Sequence, residues 1–140
     1  MINEKIIEDK IENIYGTSSD KGYSQEYINN NVGIVDSGSN DNGNWIKYSD
    51  GTMICYSRKT LSTIINVTYG NLYRSYAITL DNYPQSFTDD PMVQITTQNG
   101  AMFIHGIVGT TSPGTIMLIA AEKLSAANYI INVLAIGKWK

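Results

Sequence analysis

The chain has 140 residues, enough for one domain with its own hydrophobic core, and a net charge of −3. Its single cysteine excludes an internal disulfide and a cysteine-rich zinc site, and its single histidine removes most histidine-based metal sites and catalytic triads. Ten basic against 13 acidic residues argue against nucleic acid as the partner. Charged residues are only 16% of the sequence, so Asn, Ser, Thr and ten Tyr supply its polarity, which suits neutral polar partners such as glycans.

The first part of the chain predicts a short helix. Ile7, Ile11 and Ile14 are spaced four and then three residues apart, so on a helix they form one apolar stripe. Isoleucine at both core positions of a heptad favours three or more strands. We therefore predict a helical oligomer stem, and the alternative is a single amphipathic helix packed on its own domain. Neither a signal peptide nor a membrane-spanning run is visible.

The next segments are interpreted as a linker. Turn-forming residues follow the first helix, and Ser24 can cap a short second one. Gly, Ser, Asn and Asp dominate residues 33–43, which predicts a linker with one short strand at Val32–Val35. We place a helical stem and linker at residues 1–32 and a β-domain at residues 33–140.

From Trp45 onward the sequence predicts antiparallel β-structure. Asp50-Gly51 and Asn99-Gly100 are each flanked by apolar segments, which is a strong hairpin signal. Short strands at even spacing, with little helical pattern, predict a mainly β fold, an antiparallel β-sandwich. The predicted strands are Trp45–Tyr48, Thr52–Tyr56, Leu61–Tyr69, Leu72–Leu80, Met92–Gln98, Ala101–Val108, Thr115–Ala121 and Tyr129–Ile136.

The sequence shows no catalytic constellation. No phosphate-binding glycine motif is present, and turn formation accounts for the pair Asp89-Asp90. We expect no enzyme activity, no cofactor and no metal, with a calcium site from loop carboxylates as the open alternative. His105 lies on a predicted strand, where it is either half-buried or meets its own copies on a three-fold axis. Ile7, Ile11, Ile14 and His105 are therefore the candidate trimer-interface residues.

Several segments resemble the C-terminal domains of bacteriophage tail-fibre and receptor-binding proteins. They are the hairpin Asn42–Tyr56, the segment Tyr83–Phe87 with Pro91–Val93, the ending Ala135–Lys140, and the linker-like Tyr15–Asn29. The resemblance implies a virion protein of the phage tail, made in the bacterial host cytoplasm without a signal peptide. It also implies a homotrimer joined to the rest of the tail or baseplate, with no membrane insertion.

The β-part is also similar to the H-type lectin fold, from Val35–Gly38 through Pro91–Val93. That likeness implies a sandwich of about six antiparallel strands that trimerises and binds N-acetylgalactosamine-type sugars. Those lectins have an aromatic-His pair in the loop before the last strand, where this chain has Ala120–Lys123. The resemblance therefore implies the fold more strongly than it implies the identity of the bound sugar.

Two functions are open at this point. The first is adhesion to a bacterial cell-surface glycan by a trimeric tail-fibre tip, and the second is a purely structural trimerisation cap with no ligand. For adhesion we expect polar end loops to supply hydrogen bonds and one tyrosine to supply a ring face. The candidate ligand-binding residues are Asn99, Thr110, Thr111, Glu122, Lys123, Asn128 and Tyr129. The polar stretches 37–44 and 83–90 are further candidate loops.

Overall fold

The computed structural model describes residues 33–98 and 102–140, and these form two antiparallel five-stranded sheets. The strands are β1 (Ile34–Asn40), β2 (Gly43–Tyr48), β3 (Thr52–Ile65), β4 (Val67–Tyr69), β5 (Leu72–Arg74), β6 (Ile78–Thr79), β7 (Met92–Gln98), β8 (Met102–His105), β9 (Thr115–Ala120) and β10 (Leu124–Lys138). Sheet A has the order β1-β2-β3-β10-β7. Sheet B has the order β4-β5-β9-β6, and β8 also pairs with β9.

The fold is mainly β, as predicted, and the described ranges contain no helix. Accordingly, these ranges offer no helical segment of the length and hydropathy that a bilayer crossing requires. Both predicted helices, with Ile7, Ile11 and Ile14, lie outside the described residues. The division of the chain at residue 32 therefore stays a prediction.

The predicted linker at residues 33–43 is wrong, because most of it is strand β1. Ile34–Asn40 pairs antiparallel with β2, and the turn between them is closed where the Asn42 amide donates to the Asn40 side chain at 2.9 Å. Gly43 follows with φ of 135°, a backbone conformation that favours glycine. Small polar residues form this strand because it lies at the sheet edge, where little apolar surface is buried.

Strand β3 joins two predicted strands into one of 14 residues, and it pairs with β10 along almost its whole length. The register runs from Thr52 opposite Lys138 to Ile65 opposite Leu124. The predicted hairpin at Asp50-Gly51 is confirmed, since β2 pairs with β3 across it and Gly51 has a positive φ of 88°. Sheet A is therefore built around two long central strands.

The predicted hairpin at Asn99-Gly100 is wrong. Strand β7 pairs with β10 in sheet A, whereas β8 pairs with β9 in sheet B. The chain thus passes from one sheet to the other between β7 and β8, although residues 99–101 themselves lie outside the described part. The local Asn-Gly signal is outweighed here by the pairing partners available in the two sheets.

The predicted strand Leu72–Leu80 is interrupted, giving the short strands β5 and β6. Ser75, fully buried, lies at the break, and its hydroxyl accepts a hydrogen bond from the Leu118 amide at 3.0 Å. The same hydroxyl donates to the Tyr76 carbonyl at 2.7 Å. The interruption turns Tyr76 outward, where it is 70% exposed.

One hydrophobic core draws residues from both sheets and from the segment between β6 and β7. Alternate residues of β10 point into it, as the strand periodicity of two requires. The buried members are Met53, Cys55, Ile65, Leu80, Tyr83, Phe87, Ile95, Ile116, Leu118, Tyr129, Ile131, Val133 and Ala135. This core leaves the opposite face of sheet A pointing away from sheet B.

Candidate functional site

The predicted ligand-binding residues do not form one site. Thr110 and Thr111 lie before β9, where their carbonyls accept hydrogen bonds from the Phe87 and Tyr83 amides, both at 2.9 Å. Glu122 and Lys123 lie after β9, and the Lys123 ammonium is 5.6 Å from the Tyr73 ring centroid. Strand β9, which lies between the two pairs along the chain, is roughly 17 Å long. They are therefore at opposite ends of this strand, and Asn99 is outside the described residues.

The two adjacent residues Asn128 and Tyr129 point to opposite faces of β10. Asn128 is exposed, but Tyr129 belongs to the core with only 3% of its surface exposed. The prediction that Tyr129 supplies a ring face to a sugar is therefore wrong. Strand alternation is the reason, because an outward Asn128 requires an inward Tyr129.

The predicted trimer-interface residues remain untested by this structure. His105 ends β8 and pairs through its backbone with Ile116, while its side chain is not among those described. The three isoleucines of the predicted stem lie outside the described residues, as noted above. The candidate loop at 37–44 is also wrong as a loop, because it forms β1, a two-residue turn and the start of β2.

The second candidate loop, residues 83–90, is anchored by buried aromatic residues. Tyr83 and Phe87 meet edge to face, with ring centroids 5.1 Å apart. Burial raises the pKa of the Tyr83 hydroxyl to about 12 and that of the nearby Cys55 thiol to about 11. Both groups thus stay neutral at physiological pH, and a neutral buried thiol is a poor nucleophile. Tyr83 and Phe87 therefore pack in the core, and a ligand contact by the exposed residues of this loop stays a prediction.

A charged cluster joins the edge of sheet A to the end of the chain. Asp36 accepts a hydrogen bond from the Trp45 indole at 3.0 Å and forms an ion pair with Lys47 at 3.1 Å. These two contacts, the indole first, lower the pKa of Asp36. The Lys47 ammonium also lies 5.5 Å from the centroid of a Trp139 ring, whose indole donates to the Tyr48 carbonyl. Every member has a partner within the fold, so the cluster holds β1, β2 and the last residues together.

The outer face of sheet A, which points away from the core, is the most distinctive surface of the described residues. We define it by the outward side chains of β2, β3, β10 and β7, which are Asn44, Ile46, Ile54, Tyr56, Arg58, Met92, Gln94, Thr96, Ile130, Asn132, Leu134 and Ile136. Two adjoining grooves lie on it, with volumes of about 420 and 250 Å³. Leu134 and Gln94 line both grooves.

Sequence reasoning missed this face, although β10 carried a signal for it. From Tyr129 to Ile136 the sequence is apolar at nearly every position, with Asn132 as the only polar residue. Such a run is typical of a strand that is covered on both faces, whereas a half-exposed strand alternates between apolar and polar residues. The structure covers one face of β10 with the core and leaves the other partly exposed within this single chain.

The described residues contain no group of three or more His, Cys, Asp or Glu side chains arranged to hold a metal ion. Scans of the sequence against protein-family models and against curated proteins give no match. Solved structures do match. The chain is similar to an N-truncated R1-type pyocin tail fibre, with 19% sequence identity and a TM-score of 0.50, over 83% of this chain and 97% of that one.

A longer C-terminal fragment of the R1 pyocin fibre of P. aeruginosa also matches, with 19% identity and a TM-score of 0.49. That match covers 87% of this chain but 32% of the fragment, so the chain spans about a third of its length. At this level of identity, the likeness to the shorter pyocin structure establishes a shared fold.

Proposed function

We propose that this chain is a distal domain of a phage-type tail fibre, which assembles as a homotrimer and adheres to a bacterial cell-surface glycan without turnover. The observation that carries the proposal is the fold shared with the N-truncated pyocin tail fibre, of which 97% is matched. The resemblance of the hairpin Asn42–Tyr56 to phage receptor-binding domains supports it from the sequence. In this proposal the protein works in the virion tail, attached to the rest of the fibre or baseplate.

The sandwich arrangement of the H-type lectins belongs to the same proposal. Two antiparallel sheets that share one core support it. The glycan contacts would come from exposed polar side chains, because hydroxyl and amide groups match the donors and acceptors of a sugar. A small polar ligand buries little apolar area, so each site should be weak and three linked sites should gain avidity.

Binding of the fluorescently labelled chain to a panel of bacterial cells tests adhesion. We expect saturable decoration of a subset of strains, inhibited by soluble cell-wall polysaccharide from those strains. The candidate polar residues lie at both ends of β9, so two double variants test the ends separately. One combines Thr110→Ala with Thr111→Ala, and the other combines Glu122→Ala with Lys123→Ala. Loss of decoration in only one of them assigns the binding end.

A structural trimerisation cap is the second candidate, and a specific observation favours it. The predicted contact residues do not converge on one site, whereas the outer face of sheet A presents apolar side chains with two grooves. A cap predicts a stable trimer that decorates no strain in the panel. The same cell-binding experiment, run beside a measurement of molecular mass, therefore distinguishes the two functions.

A further inference from the structure

An apolar row crosses four strands on the outer face of sheet A. Ile46 pairs with Ile54, Ile54 with Ile136, and Ile136 with Met92, so the four side chains stand side by side on one face. Met92, on the edge strand β7, is 72% exposed. A contiguous apolar strip of this kind on a soluble domain marks a surface that another molecule covers.

The next row combines protruding side chains with hollows. Tyr56 pairs with Leu134 at its centre, and they are 45% and 37% exposed. The larger groove, of about 420 Å³, contains both residues in its wall, and the smaller one continues past Leu134 to Met92. The same face thus carries both projecting side chains and grooves, and the projecting side chains of a second copy can enter these grooves.

The charge of this face suits a copy of itself. Two cations lie along this side of sheet A, Arg58 within the defined face and Lys138 at its border, opposite Thr52. The Arg58 guanidinium donates to Gln98 at 3.1 Å and the Lys138 ammonium to the Thr52 hydroxyl at 3.4 Å. The two rows between them carry no charged side chain, so copies can approach there with little electrostatic repulsion. The outward residues that β1 places beside this face, Ser37 opposite Ile46 and Ser39 opposite Asn44, are neutral as well.

We infer that the outer face of sheet A is the surface on which copies of this chain associate, with the three faces turned toward a common axis. The inference rests on the homotrimer of the proposed function and names the surface that would build it. Four strands about 4.8 Å apart and six residues of length give each face roughly 400 Å² of sheet. Three such faces supply roughly 1,200 Å² in total, or about 400 Å² for each pair of copies, which is less than a stable pairwise interface buries. The contact is therefore a weak one that gains from the copies being linked elsewhere in the fibre. The apolar outward residues of β10 are then covered, as its sequence pattern predicts.

Charge placed on this face should break the assembly. The variants are Met92→Glu and Leu134→Glu in the full chain, and the control is Ile107→Glu, which changes an 88% exposed residue in the segment between β8 and β9. Sedimentation and light scattering over a range of concentrations give the association constant. We expect it to fall roughly 100-fold or more in both face variants, because burying an unpaired carboxylate is costly, and to stay unchanged in the control.

A second measurement does not depend on a disruptive substitution. Gln94→Cys places a thiol on the face, and Thr68→Cys places one on the exposed side of β4 as the control. The native Cys55 is 1% exposed and does not compete in the folded protein. With a short bismaleimide reagent, we expect covalently linked copies from Gln94→Cys and not from the control.

The outcomes separate the inference from the proposed function. A wild-type trimer that persists in both face variants, without cross-linking through position 94, overturns the assignment of this face and leaves the homotrimer standing. A wild-type monomer at all concentrations overturns the homotrimer and the assignment together. Face variants that stay trimeric but no longer decorate cells overturn the assignment in favour of a glycan as the occupant.

Discussion

The two sheets of this protein are stabilised in different ways. Sheet A contains β3 and β10, of 14 and 15 residues, which pair almost from end to end. In sheet B, the six-residue strand β9 pairs with strands of two to four residues. In the break between β5 and β6, the Ser75 hydroxyl replaces a backbone acceptor. Sheet A therefore combines a continuous backbone ladder with most of the buried core residues, whereas sheet B has short ladders and depends on a few buried side chains.

The largest expected effect tests the dependence of sheet B on packing. Leu118, on β9, is completely buried, and Leu118→Ala should lower the free energy of unfolding by about 3–4 kcal/mol because it removes apolar contacts and leaves a cavity. Met117→Ala, on the partly exposed side of the same strand, is the control and should cost about 1 kcal/mol. Denaturant unfolding at one fixed protein concentration measures both. Equal costs would show that β9 is not held by its buried face.

The next prediction concerns Ser75, whose hydroxyl takes the place of a backbone acceptor in sheet B. Ser75→Ala leaves the buried Leu118 amide without the acceptor at 3.0 Å, so it should cost about 2 kcal/mol of unfolding free energy. Ser62→Ala, on the exposed side of β3, is the matched control and should change stability by less than about 0.5 kcal/mol. If Ser75→Ala leaves the free energy of unfolding unchanged, sheet B does not depend on this hydrogen bond and the contrast between the two sheets is lost.

A smaller effect concerns the thiol that β3 places in the core. The pKa of Cys55 rises from 9.0 to about 11 in the folded protein because of burial. The unfolded thiol thus ionises first, and its contribution to stability is complete below pH 9 and lost as the pH rises toward 11. Between pH 8 and 10 the wild type should lose about 1 kcal/mol more than Cys55→Ala does. Parallel pH profiles of the two proteins would contradict this prediction.

The smallest effect lies at the β1 edge of sheet A. The pKa of Asp36 is lowered by the Trp45 indole and then by Lys47, so its stabilisation is present above its ordinary pKa of 3.8 and is lost as the pH falls below it. The melting temperature of the wild type should fall more steeply below pH 4 than that of Asp36→Asn. A wild type that melts in parallel with Asp36→Asn across this range would contradict the contribution of this carboxylate.

The sequence predicts the strands better than their partners. The Asp50-Gly51 hairpin is found as expected, because its turn geometry is encoded locally. The pairing of β7 with β10 is a long-range choice, so the local signal at Asn99-Gly100 predicts the wrong partner. The small polar residues of β1 predict a linker, whereas they form an edge strand, which needs little apolar content.

The candidate site was predicted less well for a related reason. Thr110 and Lys123 are close to β9 in sequence, but a strand holds its two ends apart, so nearness along the chain does not bring them together. The prediction of an exposed Tyr129 ring fails because Asn128 points outward, and the alternation of β10 then turns Tyr129 into the core. The outer face of sheet A needs four strands in register, and these come from distant parts of the sequence.

The pairing of β3 with β10 also bears on how fast this chain folds. Thr52 pairs with Lys138 and Ile65 with Leu124, so each contact closes a loop of tens of residues. Non-local antiparallel pairing of this kind is typical of domains that fold in milliseconds to seconds, because loop closure costs entropy before any contact repays it. Before β10 has paired, the edges of β3 and β7 that it will occupy have no hydrogen-bonding partner. The interval in which their exposed edges can pair with another chain is therefore set by the closure of that one loop.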